Sequence, residues 1–277
     1  MLQKGKIGVF DSGYGGLTIL REIVKTLPQY DYIYLGDNAR APYGNRSFET
    51  IYTYTSEAVD KLFRMGCELV ILACNTASAK ALRTIQQVNL LRESPEKRVL
   101  GVIRPSVEAL QYFSHNGHIA ILATHGTVNS DSYTKEIEKL YGSDRFHITQ
   151  YACPMWVPLV ENNELSGVGA EYFVSKYLDD LFRHDSDIDT VVLACTHYPL
   201  LKPLIERMIP DGVKIVGQGH VVADSLKDYL QRHPEMERIL SKNNSIEYYT
   251  TDNPLIFERV GSIFMKCKIT CQYVQIC

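Results

Sequence analysis

No apolar run in this 277-residue sequence approaches the roughly 20 residues that cross a bilayer. Residues 1–5 lead into a strand-like segment without the apolar stretch of a secretory signal, so neither a membrane-spanning nor an exported chain is expected. Positive charge is not in excess either. The 29 Lys and Arg against 32 Asp and Glu leave a formal net charge of −3, which offers no basic face to a nucleic acid or an anionic membrane. Low-complexity tracts and flexible linkers are also missing. The seven cysteines are odd in number and irregular in spacing, which is no disulfide framework. A cytoplasmic protein with free thiols is predicted. The composition itself, 45% hydrophobic and 22% charged, is that of an ordinary globular chain, long enough for one large or two medium domains.

The clearest positive signal is a device that occurs twice. Residues 191–201 (VVLACTHYPLL) read as a buried parallel strand delivering Cys195 at its carboxyl end, followed by small polar residues and a new apolar run. Residues 69–80 (LVILACNTASAK) repeat the pattern around Cys74. Upstream of each, at roughly equal separation, lies another short strand ending in a polar loop: KIGVFDS at 6–12 and HIAILAT at 118–124. The pattern predicts a diverged duplication, an α/β protein of two pseudo-symmetric, Rossmann-like parallel-sheet domains. Ligands in such sheets bind beyond the carboxyl strand ends, so Cys74 and Cys195 are expected to face one cleft between the domains. Residues 1–103 together with 217–277 are assigned to the first domain and 104–216 to the second, the strand-helix-strand tail returning to complete the first half.

Along the chain, the first strand runs into Asp11-Ser12-Gly13-Tyr14-Gly15-Gly16 and a helix. This glycine-rich turn lacks the full dinucleotide fingerprint and any P-loop lysine, and it reads equally as a ligand loop or as a tight turn. Strand 32–36 precedes a loop with Pro42-Tyr43-Gly44, and Ser47 is placed to cap a long amphipathic helix. A helix is predicted from about 77 to 91, a strand over 99–103, a crossing between halves at Arg104-Pro105, and a short helix near 108–113. Ser130 or Asp131 should cap the helix ending near Gly142. Glu161 closes the apolar run 157–160, either buried or at the start of a loop, and strands are predicted over 146–151, 214–216, 246–250 and 272–276.

A thiolate is a strong base when something lowers its pKa from about 8.5, and a strand end leading into a helix N-terminus is such a place. Both cysteines are expected to be activated alike, with Asp11 near Cys74 and His197 near Cys195 as proton partners. Acid/base groups on opposite faces of one carbon suit two-base racemisation or epimerisation: one thiolate abstracts a proton, and the opposite thiol returns one. Other readings compete. A lone strand-end cysteine is more often a small buried hydrophobe. A zinc site of Cys74, Cys195 and His197 lacks the usual spacing and a fourth ligand, so no metal is assigned. A thiol hydrolase would leave one cysteine unexplained. Cys67, Cys153, Cys267, Cys271 and Cys277 are assigned no chemistry.

Taken together, Asp11-Ser12-Gly13-x-Gly15-Gly16, Pro42-Tyr43-Gly44, Cys74-Asn75-Thr76-Ala77-Ser78, Val157-Pro158-Leu159-Val160-Glu161 and Cys195-Thr196-His197-Tyr198-Pro199-Leu200 resemble, in the same order, the motif series of the glutamate racemase family. The resemblance spans nearly the whole chain. It implies a cofactor-independent enzyme that interconverts L- and D-glutamate and supplies bacterial peptidoglycan, often as a homodimer. By the same resemblance Cys74 works on the D face with Asp11, and Cys195 on the L face with Glu161 and His197. Asn75, Thr76, Thr127 and Thr196 are implied at the α-carboxylate with Thr124 beside them, and Ser12, Tyr43 and Gly44 at the side-chain carboxylate; Asp11 and His197 also reach the substrate. The sequence departs from the family at Gly217-Gln218-Gly219, where many members carry Asp near position 217, at Ala194 and at Arg104. Two further readings remain beside it: a racemase of aspartate or another acidic amino acid, and an amino-acid-binding regulatory module without turnover.

Overall fold

A computed structural model describes residues 4–276. Among these residues ten parallel strands form two sheets. The first holds β1 (Lys6–Asp11), β2 (Tyr32–Gly36), β3 (Cys67–Leu72) and β4 (Arg98–Gly101), and the second β5 (His118–Ala123), β6 (His147–Ala152), β7 (Thr190–Ala194) and β8 (Lys214–Gly217). The tail adds β9 (Ile246–Thr250) and β10 (Cys271–Tyr273) to the first sheet, beyond β2. The strand orders are β10-β9-β2-β1-β3-β4 and β6-β5-β7-β8. Stripped of its tail strands, the first order becomes the second when each strand number is raised by four. The duplication expected from the repeated strand-cysteine device is therefore present in the topology.

The strands are parallel and covered on both faces, which is why they read as continuous apolar runs rather than alternating ones. β1, β2 and β7 carry buried residues at nearly every position. One apolar cluster, running from Leu17 and Tyr34 through Trp156 to Leu193 and Tyr198, joins both halves, while separate clusters line the other face of each sheet. Among the described residues no helix is long and apolar enough to cross a membrane.

Several local expectations need correction. The helix after Cys74 starts at Asn75, because the Cys74 sulfur accepts the Ala77 amide at 3.5 Å and occupies the cap position. It does not run on to 91 but breaks into Asn75–Lys80, Leu82–Thr84, a π-helical Ile85–Asn89 and Leu90–Glu93. Arg104-Pro105 falls between β4 of the first sheet and β5 of the second, and it is helical. It lies in the first turn of helix Ile103–Phe113, where proline costs no hydrogen bond, and Arg104 pairs with Glu108 and Glu136. The cap at Ser47 is as expected, its hydroxyl accepting the Thr50 amide at 3.2 Å. Of the two cap candidates for helix Ser132–Tyr141, Ser130 is the one whose side chain accepts an amide, from Ser132 at 3.2 Å.

Candidate active site

The carboxyl ends of β1 and β3 in one sheet and of β5 and β7 in the other open onto a single cleft. Eleven of the residues singled out from the sequence line it: Ser12, Tyr43, Gly44, Cys74, Asn75, Thr76, Thr124, Glu161, Cys195, Thr196 and His197. The two walls touch directly. Gly126 donates its amide to the Gly44 carbonyl at 2.7 Å, the Thr76 and Thr124 hydroxyls lie 2.9 Å apart, and the Thr18 hydroxyl donates to the Thr196 carbonyl at 3.0 Å. Gly15 sits where the halves come closest: a Cβ there would lie 2.2 Å from Thr196 Oγ1 and 2.5 Å from His197 Nδ1.

On one wall Cys74 is buried beside Ser12, whose Oγ is 3.5 Å from Sγ. Asp11 is wholly buried behind it. One Asp11 oxygen accepts the Gly13 amide at 3.0 Å and the other accepts the Thr196 hydroxyl at 3.4 Å. Burial pushes the Asp11 carboxyl up, opposed by the nearby His197 charge and by the amides of Gly16 and Gly13. Burial and the Asp11 charge push the Cys74 thiol up to about 12, outweighing the Ala77 amide and the Ser12 hydroxyl. This overturns the expectation that the helix N-terminus lowers the pKa of Cys74: one amide contact does not offset desolvation next to a carboxylate.

The other wall is built differently. Cys195 Sγ lies 3.9 Å from His197 Nδ1, and His197 Nε2 lies 3.0 Å from Glu161 Oε1. Burial disfavours the imidazolium, yet the hydrogen bonds to Cys195 and Glu161 and the charges of those groups raise the His197 pKa to about 10. A protonated imidazole thus stands next to one sulfur, while the other is held as a thiol. The duplicated strands present two cysteines in unequal environments.

Two predicted residues do not reach the cleft. Asp11 lies beneath its floor, and Thr127 stands behind Thr76 and Thr124, its hydroxyl 3.4 and 3.3 Å from theirs. Tyr43 lines the cleft, but its hydroxyl donates to Asp37. Several lining residues went unpredicted, Asn45, His125, Cys153 and Pro154, while the sequence singles out Val157 and Pro158 only as part of the motif that ends at Glu161. Cys153, read as a core residue, is buried and yet forms part of the wall. Its strand-end position after β6, equivalent to that of the Pro42-Tyr43-Gly44 loop after β2, is the signal that pointed there. The six described cysteines are free thiols, and Cys277 lies outside the described residues. Among the described residues, the grouping close enough to share a metal ion is His118, His147 and Asp185, at the opposite, amino ends of β5 and β6.

The family model described as Asp/Glu/Hydantoin racemase matches residues 7–226. The glutamate racemase of Geobacter metallireducens is 38% identical over 263 residues, spanning 95% of this chain and 93% of that one. That of Persephonella marina is 46% identical over 221 residues, 80% and 81% of the two chains. Among solved structures, a glutamate racemase isoform from Bacillus anthracis superposes with a TM-score of 0.86 at 32% identity, over 98% of this chain and 97% of that one. The glutamate racemase of Francisella tularensis, in complex with D-glutamate, gives the same TM-score at 31% identity over 99% of both. With the fold, the paired thiols and the whole-length similarity in agreement, the chain belongs to the Asp/Glu/Hydantoin racemase family and, within it, to the glutamate racemases.

Proposed function

We propose that the chain interconverts L- and D-glutamate without a cofactor, by two-base racemisation in which Cys195 serves the L face and Cys74 the D face, and that the D-glutamate supplies bacterial peptidoglycan. The observation that carries this reading is the pairing of two thiols, from equivalent strand ends of the two sheets, in one cleft. With L-glutamate bound, Cys195 takes the Cα proton while the His197 imidazolium, backed by Glu161, balances the sulfur's charge. Cys74, held as a thiol, returns a proton to the opposite face. The reverse reaction exchanges the roles, with Asp11 as the proton partner behind Cys74. Asn75, Thr76 and Thr196 supply donors for the α-carboxylate. Ser12 and the backbone at Tyr43-Gly44 hold the side-chain carboxylate, because the Tyr43 phenol is engaged by Asp37. Thr124 and Thr127 brace Thr76.

The same proposal extends to the setting. The separate sheets support a first domain of residues 1–103 with 217–277 and a second of 104–216. Free thiols support a cytoplasmic location. The family resemblance supports a homodimer, which sedimentation at micromolar protein concentration tests.

Incubation with L-glutamate and with L-aspartate in deuterated water, chelator present, tests the chemistry. Deuterium at Cα of glutamate, with optical rotation decaying to zero, is expected. Absence of exchange, or exchange abolished by chelator and restored by zinc, refutes the proposal.

A further inference from the structure

At Gly217-Gln218-Gly219 the structure contains a closed hydrogen-bond circuit. Gln218 is the first residue of helix Gln218–Arg232 and is buried. Its Nε2 lies 2.7 Å from Ser106 Oγ and 2.8 Å from Tyr133 Oη, and its Oε1 accepts from Asn75 Nδ2 at 2.6 Å. The directions can be assigned. Ser106 donates its own hydrogen to the Val102 carbonyl at 2.7 Å, so it accepts from Gln218. Tyr133 donates to Asn75 Oδ1 at 2.8 Å, so it too accepts from Gln218. Both Nε2 hydrogens are thereby used. Turning Gln218 over would set donor against donor at the short contact between the two amides, and turning Asn75 over would set acceptor against acceptor there. Gly219 allows this placement, since a Cβ there would lie 2.7 Å from Glu22 Cγ and push the helix away.

We infer that Gln218 is a positioning residue that sets the orientation of the Asn75 carboxamide for bound substrate. Asn75 follows Cys74 directly and lines the cleft, and with Oδ1 and one Nδ2 hydrogen committed to the circuit, its second Nδ2 hydrogen is the one left to meet a carboxylate. Gln218 itself does not line the cleft. Since Ser106 and Tyr133 fall within residues 104–216 while Asn75 and Gln218 belong to the first domain, the circuit also ties Asn75 to the opposite half. The inference rests on the racemase reading above and assigns a residue outside the family motifs a share in substrate affinity.

Gln218→Met keeps the side chain's length and removes the circuit. Its expected effect is a rise of at least tenfold in the KM of both enantiomers, with kcat lowered less than KM is raised and the folded state retained. Tyr133→Phe, which removes the hydroxyl between the two amides, should move KM the same way. In an Asn75→Ala background Gln218→Met should raise KM no further, because its effect passes through Asn75. A purely structural role would instead give multiplying effects in the double variant and a KM within twofold of wild type in the singles, and either result overturns the inference. Wild-type turnover of glutamate is the control: if it is absent, the racemase reading fails whatever Gln218 does.

Discussion

If Cys74 and Cys195 are the two bases, the unequal environments of their sulfurs should become visible once the pair is separated. Racemisation itself cannot show the asymmetry, since enantiomers have an equilibrium constant of one and kcat/KM must stay equal in the two directions. A partial reaction can. With a glutamate analogue carrying chlorine at the β-carbon, a thiolate removes the Cα proton, the C–Cl electron pair leaves as chloride, and the resulting enamine hydrolyses to a keto acid and ammonia. No proton return is needed. Cys74→Ser and Cys195→Ser should each lower racemisation by at least about 10²–10⁴, the usual contribution of a positioned acid or base. Cys74→Ser should still eliminate from the L form through Cys195, whose neighbour His197 carries a proton up to about pH 10. Cys195→Ser should eliminate from the D form alone, through Cys74. With the Cys74 pKa near 12, only about 10⁻⁴ of that thiol is ionised at pH 8, and the fraction grows about tenfold per pH unit. Keto-acid release by Cys195→Ser should therefore climb steeply between pH 7 and 9. Elimination from both enantiomers by either variant, or a flat pH profile for Cys195→Ser, would refute the reasoning.

Three other outcomes are expected. Aspartate, one methylene shorter, leaves the donors near Ser12 and Gly44 unpaired, a loss of about 1–3 kcal/mol or roughly 5–150-fold in kcat/KM, and comparable values for the two substrates would point to the broader racemase reading. Gly15→Ala places a methyl group against Thr196 and His197, so kcat should fall by about 10²-fold from misplacement of the Cys195 side, read by steady-state kinetics alongside an unchanged circular dichroism spectrum. Asp31 is buried, yet hydrogen bonds from Ser241, Ser245 and Asn243 overcome that burial and hold its carboxyl at about 2. Its folded pKa lies below the unfolded value, so its stabilisation is present above pH 4 and disappears as pH falls through 2; Asp31→Asn should cost about 2 kcal/mol at pH 7 and little at pH 2 in chemical denaturation.

Much of this molecule was legible before any coordinates. Apolar runs ending in small polar residues marked the strands of both sheets, and the recurrence of Ala-Cys after two of them exposed the duplication and both thiols. The Ser47 cap and the place of the Pro42-Tyr43-Gly44 loop followed from strand ends and turn chemistry. These features depend on interactions within a few residues along the chain, which one sequence records directly. What the tertiary structure alone decided depends on groups far apart in sequence. The Cys74 thiol is raised rather than lowered because burial and the Asp11 charge act on it together. Thr127 and Asp11 fall behind the cleft, and Cys153 falls on its wall, according to how the two halves close. Gln218 meets Asn75 across 143 positions of chain, and no local pattern announces it. Desolvation and close approach are sums over everything packed around a group, so they come into being only when the chain is folded.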